Sequence, residues 1–534
     1  MSEPIVSNSA SEESVFKKTW NEITQPFIDL IRAPRALWGV NLAYTIEGLS
    51  YFGILTYLAI HFSDFIFKGV AHADVWSHEM VMVLTAGIAI AMVVLGFVPD
   101  KYGVRFALIF SFAFLLAGRL LMSAAPTIFG LQPNGVWSPL HLITMGGIFL
   151  IVIGYGVYQP AAYAAVRQFT TPKTASMAYA MLYALMNAGS SLAMMAFLLR
   201  DDKFLGLGIN GTFWVYTLLT LVSLVVTIVL LSRKTVTKAI AGAKEETAAI
   251  AKAESLDAAK KEEPRPVIAD GDLKVPLAAW IVLAGILAAI IFRVPTPWSY
   301  YASAVVILFP IIVSVLPKRF RTPIVKWVAT HPLSDIRFFF FIFALMPVQT
   351  LFTYNWLVLP QYISRAYSGW IGEYYEVASN ANPILIFILV PVITALTYKK
   401  NVYNMMIIGT LVMSSSAFIL AFGPGPITLC CYIVMMTVGE AMWSARFLQY
   451  ATEIAPPERA GQYQGVAQLP WFLTKFLVPL LYSGQMMERY CPADGSKDTG
   501  SMWFIFGLIA IISPLALWLS RRWMMKGFKI KHEG

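Results

Sequence analysis

Charge is scarce in these 534 residues: Asp, Glu, Lys and Arg make up 13% of them, where soluble domains carry roughly 25%. With 58% hydrophobic residues, a water-soluble fold would leave far too much apolar surface unburied. Cysteine is scarcer still. The three present are Cys430, Cys431 and Cys491, the first two adjacent in an apolar run, and no CxxC or Cys/His spacing surrounds them. Neither a disulfide framework nor a zinc site is supported. No nucleophile elbow, P-loop, HExxH or dinucleotide fingerprint occurs, so no enzyme or ATP-driven pump is indicated and no cofactor is expected. The opening stretch MSEPIVSNSASEESVFKKTW is polar and acidic, unlike a cleavable secretory signal.

What the chain does have is long apolar runs and aromatics: 15 Trp, 24 Tyr and 35 Phe, suited to belts at two membrane interfaces. A span needs about 20 mostly apolar residues. Runs of that kind lie near 36–62, 79–99, 104–124, 140–166, 175–199 and 211–232, then near 275–293 and 298–316. Six more follow near 334–362, 376–398, 402–422, 427–452, 461–487 and 500–521. The pattern predicts an all-α integral membrane protein of about 14 spans: two six-helix bundles, 36–233 and 334–522, with two inserted transmembrane helices at 275–317. Around them we expect an N-terminal arm and interfacial helix (1–35), a charged linker (234–274), an amphipathic interfacial segment (318–333) and a basic tail (523–534).

The net charge of +10 does not point to nucleic acid, because the basic residues share one side of the predicted membrane. That side holds Lys17, Lys18, Arg32, Arg35, Lys101, Arg105, Arg167, Lys173, the linker, Lys318, Arg319, Arg321, Lys326, Lys399, Lys400, Arg459 and the tail. The opposite loops hold few positives, among them Lys68, Lys203, Arg365 and Arg489. By the positive-inside rule both termini are cytoplasmic. TTPKTASMAYAML and APPERAGQYQGVA occupy equivalent places in the two halves, consistent with an internal repeat.

The first span carries chemistry. Asn41, Tyr44, Glu47 and Tyr51 fall within an arc of roughly 120° on a helix, a polar face expected to line a cavity, since an ionised group at a helix centre costs about 2.5–3.5 kcal/mol or more. A satisfied interhelical hydrogen bond is the plain alternative for each of these side chains. GFVPDKYGVR (96–105) joins the second and third spans; Gly96 and Gly103 permit a tight turn, Lys101 adds a second basic group, and Asp100 can pair with Arg105 or cap a helix in one gating state. It fits the G-x-x-x-D-K-x-G-x-R loop of the major facilitator superfamily. His61, His72, His78 and Asp74 surround the first external loop but match no ligand spacing, so solvated loop residues rather than a metal site are expected there.

EGLSYFG resembles the tail of the ExxERFxYYG motif of proton-coupled oligopeptide transporters, and four further stretches agree with that family in order. They are GYGVYQPAAY (154–163), YALMNAGSSL (183–192), NPILIFILVPV (382–392) and GEAMWSARFLQYATEIAPPERAG (439–461). Prokaryotic members also carry two extra helices between their halves. The resemblance implies a secondary transporter in a bacterial inner membrane, moving a small amine-bearing solute such as a di- or tripeptide by alternating access, with proton symport as a further expectation. It implies Glu440 for the substrate ammonium, Asn187 and Asn382 for backbone contacts, and Tyr51 in the aromatic lining; Gln349 and Ser444 join the candidate polar lining. The chain departs from the family at Tyr44 (its first glutamate), Gly48 (its arginine) and Gln159 (its lysine). The family's seventh-helix glutamate has no clear equivalent within FALMPVQTL (343–351). Glu47 and Glu440 therefore stand without matched cationic partners, and Arg446 is either a substitute or an interfacial anchor. Those losses keep open a non-transporting scaffold or accessory subunit, with a protein partner on the linker or the inserted helices, and a carrier of a different organic solute.

Overall fold

The structure, a computed structural model, describes residues 34–257, 277–293, 298–397, 400–454, 463 and 466–525. The N-terminal arm to residue 33, linker residues 258–274, Lys399, the APPERAG turn and the tail from 526 lie outside them. Among the described residues there is no strand. Helices stand at each of the fourteen apolar runs.

The first half comprises α1 (Arg35–Ile60), α2 (Ala73–Leu95), α3 (Val104–Thr127), α4 (Pro139–Phe169), α5 (Pro172–Leu192) and α6 (Gly208–Leu230). α1 packs on α5 and α6, α3 on α4 and α6, and α2 on α4. α7 (Arg233–Asp257) follows. It opens the stretch expected as a solvated linker, but its first part is docked: Val236, Ala239 and Ala243, one helical stripe, are buried beside α1 and α4. Three small apolar residues at i, i+3 and i+7 suffice to seat a helix whose remaining composition is charged. α8 (Leu277–Arg293) and α9 (Trp298–Val315) pack on each other as a hairpin. After α9 the chain bends by 120° into α10 (Lys318–Thr330).

The second half opens with one span broken at prolines into α11 (Ile336–Ala344), α12 (Met346–Leu357) and α13 (Leu359–Ala366). Then come α14 (Ala381–Thr397), α15 (Val402–Leu420), α16 (Pro426–Ile454), α17 (Leu469–Val478), α18 (Gly484–Tyr490), α19 (Thr499–Ala510) and α20 (Ile512–Met525). α15 packs on α16 and α19, α14 on α16, and α12 on α17. The breaks are chemically satisfied. Pro347 interrupts the first span of this half, and the freed Val348 amide donates to Ser513 Oγ at 2.9 Å, at the break between α19 and α20. Buried backbone donors in a bilayer need such partners.

Nine described helices are long and apolar enough to cross a bilayer. Others fall short by residue count, as α8 does at 17 residues. Apolar side chains at i, i+4 spacing face outward, Ile90 and Val94 on α2 and Val225 and Val229 on α6, each at least 50% exposed. Lipid is the solvent that accepts such a stripe. The chain is an integral membrane protein. The halves meet along two seams, α2 against α17 and α18, and α5 against α14, with α1 and α12 in contact between them.

Candidate functional site

Glu47 sits fully buried inside the first half rather than facing a cavity. Arg119 of α3 grips it with two bonds, Nη1 to Oε2 at 2.8 Å and Nη2 to Oε1 at 2.5 Å. Tyr155 of α4 donates its hydroxyl to the same carboxylate, and Thr220 of α6 accepts from Arg119. One ion pair thus ties α1, α3, α4 and α6. The expectation of a carboxylate without a cation is corrected, since its cation comes from another helix. The bare Gly48, at the family's arginine position, has its own reason. A Cβ there would lie 2.9 Å from the Met186 carbonyl of α5, so the close α1–α5 approach excludes a side chain. Sequence reasoning missed Arg119. A lone arginine within FLLAGRLLMS is the signal that an intramembrane acid had a partner.

The rest of the first-helix polar face is likewise mostly core. Tyr44 is buried and stacks on Tyr158 at 5.3 Å between ring centroids. Asn41 is buried, with Nδ2 3.5 Å from the Met181 sulfur and Oδ1 without a partner. Only Tyr51, edge-on to Tyr155 at 4.9 Å, is half-buried. The expected cavity-lining face is corrected accordingly, because a bundle of six helices buries most of the circumference of its inner helix. Gln159 and Asn187 are half-buried, and Gln349 is buried with Oε1 unpartnered.

Glu440 contrasts with Glu47. On α16, buried to 7% exposure, it accepts one hydrogen bond from Asn382 Nδ2 of α14 at 2.9 Å. Asn382 also reaches Thr437 at 3.1 Å. No described cation pairs with Glu440. The candidates Glu440 and Asn382 are brought together; Ser444, one turn further along α16, is half-buried, and Arg446 is buried.

In the loop after α2, Gly103 has φ +85°, a conformation that favours glycine, and Gly96 would bring a Cβ to 2.6 Å from the Met92 carbonyl. Arg105 does not pair with Asp100. Its Nε donates to the Leu231 carbonyl at the end of α6, 2.7 Å away, while Asp100 and Lys101 are exposed. Satisfying an orphan helix-end carbonyl is the geometrically nearer use of that guanidinium.

The histidine cluster is also corrected. His61, His78 and Asp74 are buried, and only His72 is exposed. His61 packs against Phe65 and Phe213 within the first half, whereas His72, His78 and Asp74 belong to a seal between the halves on the face opposite the 96–105 loop. Arg365 clamps Asp74 with bonds of 2.7 and 2.8 Å and reaches Asp64 at 3.2 Å. His78 lies between Ser483 at 2.7 Å and Gln361 at 2.8 Å. Across the other seam, Arg200 and Tyr57 both reach Glu376 Oε1, at 2.7 and 2.8 Å, and Lys203 pairs with Glu373. That exposed pairing holds the Lys203 ammonium above its usual range, through the Glu373 hydrogen bond. π-helical segments at His61–Ile66 and Pro479–Ser483 present Ser63 and Ser483 to this seal. Among the described residues, every ion pair joining the halves lies at this end. No described group of side chains has the makings of a metal site.

The architecture matches solved transporters. PepTSo, a POT family transporter, superposes with a TM-score of 0.63 over 92% of this chain and 98% of that one, at 15% identity. An auto-inhibited POT family peptide transporter gives 0.62 at 17% identity over 94% and 99%. A POT family transporter in complex with 5-aminolevulinic acid gives 0.58 at 16% over 92% and 97%. At such identities the likeness is one of fold. No curated protein sequence matches the chain significantly. The family model described as Major Facilitator Superfamily matches residues 38–479, most of the described bundle pair, and the chain belongs to that superfamily.

Proposed function

We propose that this protein is a secondary transporter of small amine-bearing solutes, short peptides first among them, working by alternating access between its two halves. The observation that carries the reading is Glu440: a membrane-buried carboxylate whose described polar partner is one amide. Such a group is expensive to keep, and a substrate ammonium supplies the missing charge. The solved transporters of this fold include one holding 5-aminolevulinic acid, itself an amine with a carboxylate. Asn382 orients Glu440, and Tyr51, Gln159, Asn187, Gln349 and Ser444 supply polar or aromatic surface around the path. Glu47, held by Arg119, acts in this reading as a fixed strut of the first half.

The seal built on Arg365–Asp74 and Arg200–Glu376 closes one end, and access alternates as it breaks and the 96–105 end closes. The basic bias supports a cytoplasmic 96–105 end and cytoplasmic termini, and the resemblance to prokaryotic oligopeptide transporters supports a bacterial inner membrane. Protons are the proposed coupling ion, with Glu440 as carrier when no substrate is bound. Uptake in proteoliposomes tests this. Glu440→Gln is expected to abolish proton-driven peptide uptake while leaving yield and thermal unfolding unchanged; uptake at the wild-type rate removes Glu440 from the mechanism.

A further inference from the structure

Residues 318–334, KRFRTPIVKWVATHPLS, hold four Lys or Arg and no acid, and most of them form α10. At 100° per residue, Lys318, Thr322 and Lys326 share one arc with Arg319, while Phe320, Ile324 and Val328 share the opposite one. The structure keeps that division. Lys318, Arg319 and Lys326 are exposed, and Ile324 and Val328 are half-buried. Phe320, 52% exposed, lies under the Arg319 guanidinium at 4.7 Å from the ring centroid. Arg321, on the apolar side, folds back, its Nη1 donating to the Ser314 carbonyl near the end of α9 at 3.0 Å. Among the described residues, Lys318 and Arg319 have no acid within ion-pair distance. Asp335, the next acid along the chain, is spent on capping α11, where Oδ1 accepts from the amides of Arg337 and Phe338 at 2.9 and 3.3 Å.

The preceding helix sets the level of α10 in the bilayer. Val305, Phe309 and Ile312 run down one face of α9, each more than half exposed, a stripe that only acyl chains accept. Its 18 residues reach about 27 Å, close to the roughly 30 Å of hydrocarbon, and Lys318 follows three residues after its end. The 120° bend exceeds a right angle, so α10 turns back onto the interface instead of running out into water. The span that follows, α11 to α13, reaches Arg365 in the seal, which puts α10 at the other end of the second half. It is firmly joined there. His331 Nδ1 accepts from the Leu333 amide at 3.2 Å, and Ser334 Oγ donates to the Val328 carbonyl, so a pull on α10 passes to α11.

We propose that α10 is a docking surface for anionic phospholipid, with Lys318 and Arg319 on headgroup phosphates and Phe320 and Ile324 in the acyl boundary. Cations just outside the hydrocarbon attract lipids of net negative charge, and a guanidinium matches phosphate oxygens in pairs. A zwitterionic headgroup brings its own cation and is the poorer partner. The bound lipid pins the second half at the end opposite its seal, whatever solute the protein carries.

The test titrates phosphatidylglycerol or phosphatidylcholine into purified full-length protein in detergent and counts bound lipid by native mass spectrometry. Wild type is expected to hold phosphatidylglycerol the more tightly. The double variant Lys318→Gln with Arg319→Gln is expected to weaken it about tenfold or more, at about fivefold per cation near the surface, and Lys318→Arg with Arg319→Lys to keep it. The control, Lys238→Gln with Lys244→Gln on α7, removes the same charge from exposed positions and is expected to change retention less than twofold. Equal retention of the two lipids by wild type overturns the proposal without any variant. A loss in the control as large as in the double variant overturns it too, since net charge alone would then govern binding. Displacement of the lipid by millimolar inorganic phosphate would show a free-anion site and end the lipid assignment.

Discussion

Glu47 and Glu440 are the same residue type in the same solvent, and their neighbours give them different work. Glu47 is held bidentately by Arg119 and again by Tyr155. Removing one partner of a buried pair strands the other charge, at a cost of about 3–5 kcal/mol. We expect Arg119→Gln to lower the unfolding temperature sharply in detergent. The double variant Glu47→Gln with Arg119→Gln should regain much of that loss, because two amides can hydrogen-bond without stranding a charge. Equal stability of wild type and Arg119→Gln would mean the pair holds nothing together. The acid was legible in the sequence as an anomaly within an apolar run. Its partner was not, because Arg119 lies 72 residues away and only the packing of α1 on its neighbours brings them together. Glu440 and Asn382 were singled out by resemblance to motif stretches 58 residues apart, and their 2.9 Å contact is something only the packing of α14 on α16 reveals.

Among elements, the prolines were visible and their remedies were not. Pro347 announces a broken helix, yet nothing near it in the chain shows that Ser513 accepts the Val348 amide. Ser513 is fully buried, so Ser513→Ala leaves a backbone donor unsatisfied, with an expected loss of about 1–3 kcal/mol read as earlier thermal unfolding. A smaller effect than a surface serine-to-alanine change would show the break to be satisfied in another way. The charged stretch after α6 teaches a related lesson. Its composition reads as solvated linker, and it does begin outside the bundle's apolar runs, but Val236, Ala239 and Ala243 are enough to seat the first part of α7. Composition averages over a helix; docking needs only one stripe of it.

At the scale of the molecule, the seal sorts the halves into a closed end and an end where, among the described residues, no ion pair crosses. Arg365 anchors the closed end through Asp74 and Asp64. We expect Arg365→Ala to shift the population toward opening there. The measurement places a cysteine at Thr56, buried beside Asn380, with Cys430, Cys431 and Cys491 replaced by serine, and follows labelling by a membrane-impermeant maleimide. Arg365→Ala should raise the labelling rate several-fold; an unchanged rate would show that the apolar packing of the seams, not the ion pairs, keeps this end shut. None of these partners was foreseen as a seal. His61, His78 and Asp74 read as solvated loop residues because they flank a short connection; α6 covers His61 through Phe213, and the approach of the other half covers His78 and Asp74.

Read alone, the sequence set the solvent of this protein, the order of its apolar runs and the stretches bearing its polar side chains. Each of these is local: a run of apolar residues must become a helix in lipid, wherever its neighbours lie. Which acid is matched and which is left wanting was decided only by the tertiary structure, since charge pairing acts over a few ångströms in space and is blind to distance along the chain. That is why Arg119 completes Glu47, while the described partner of Glu440 is the Asn382 amide.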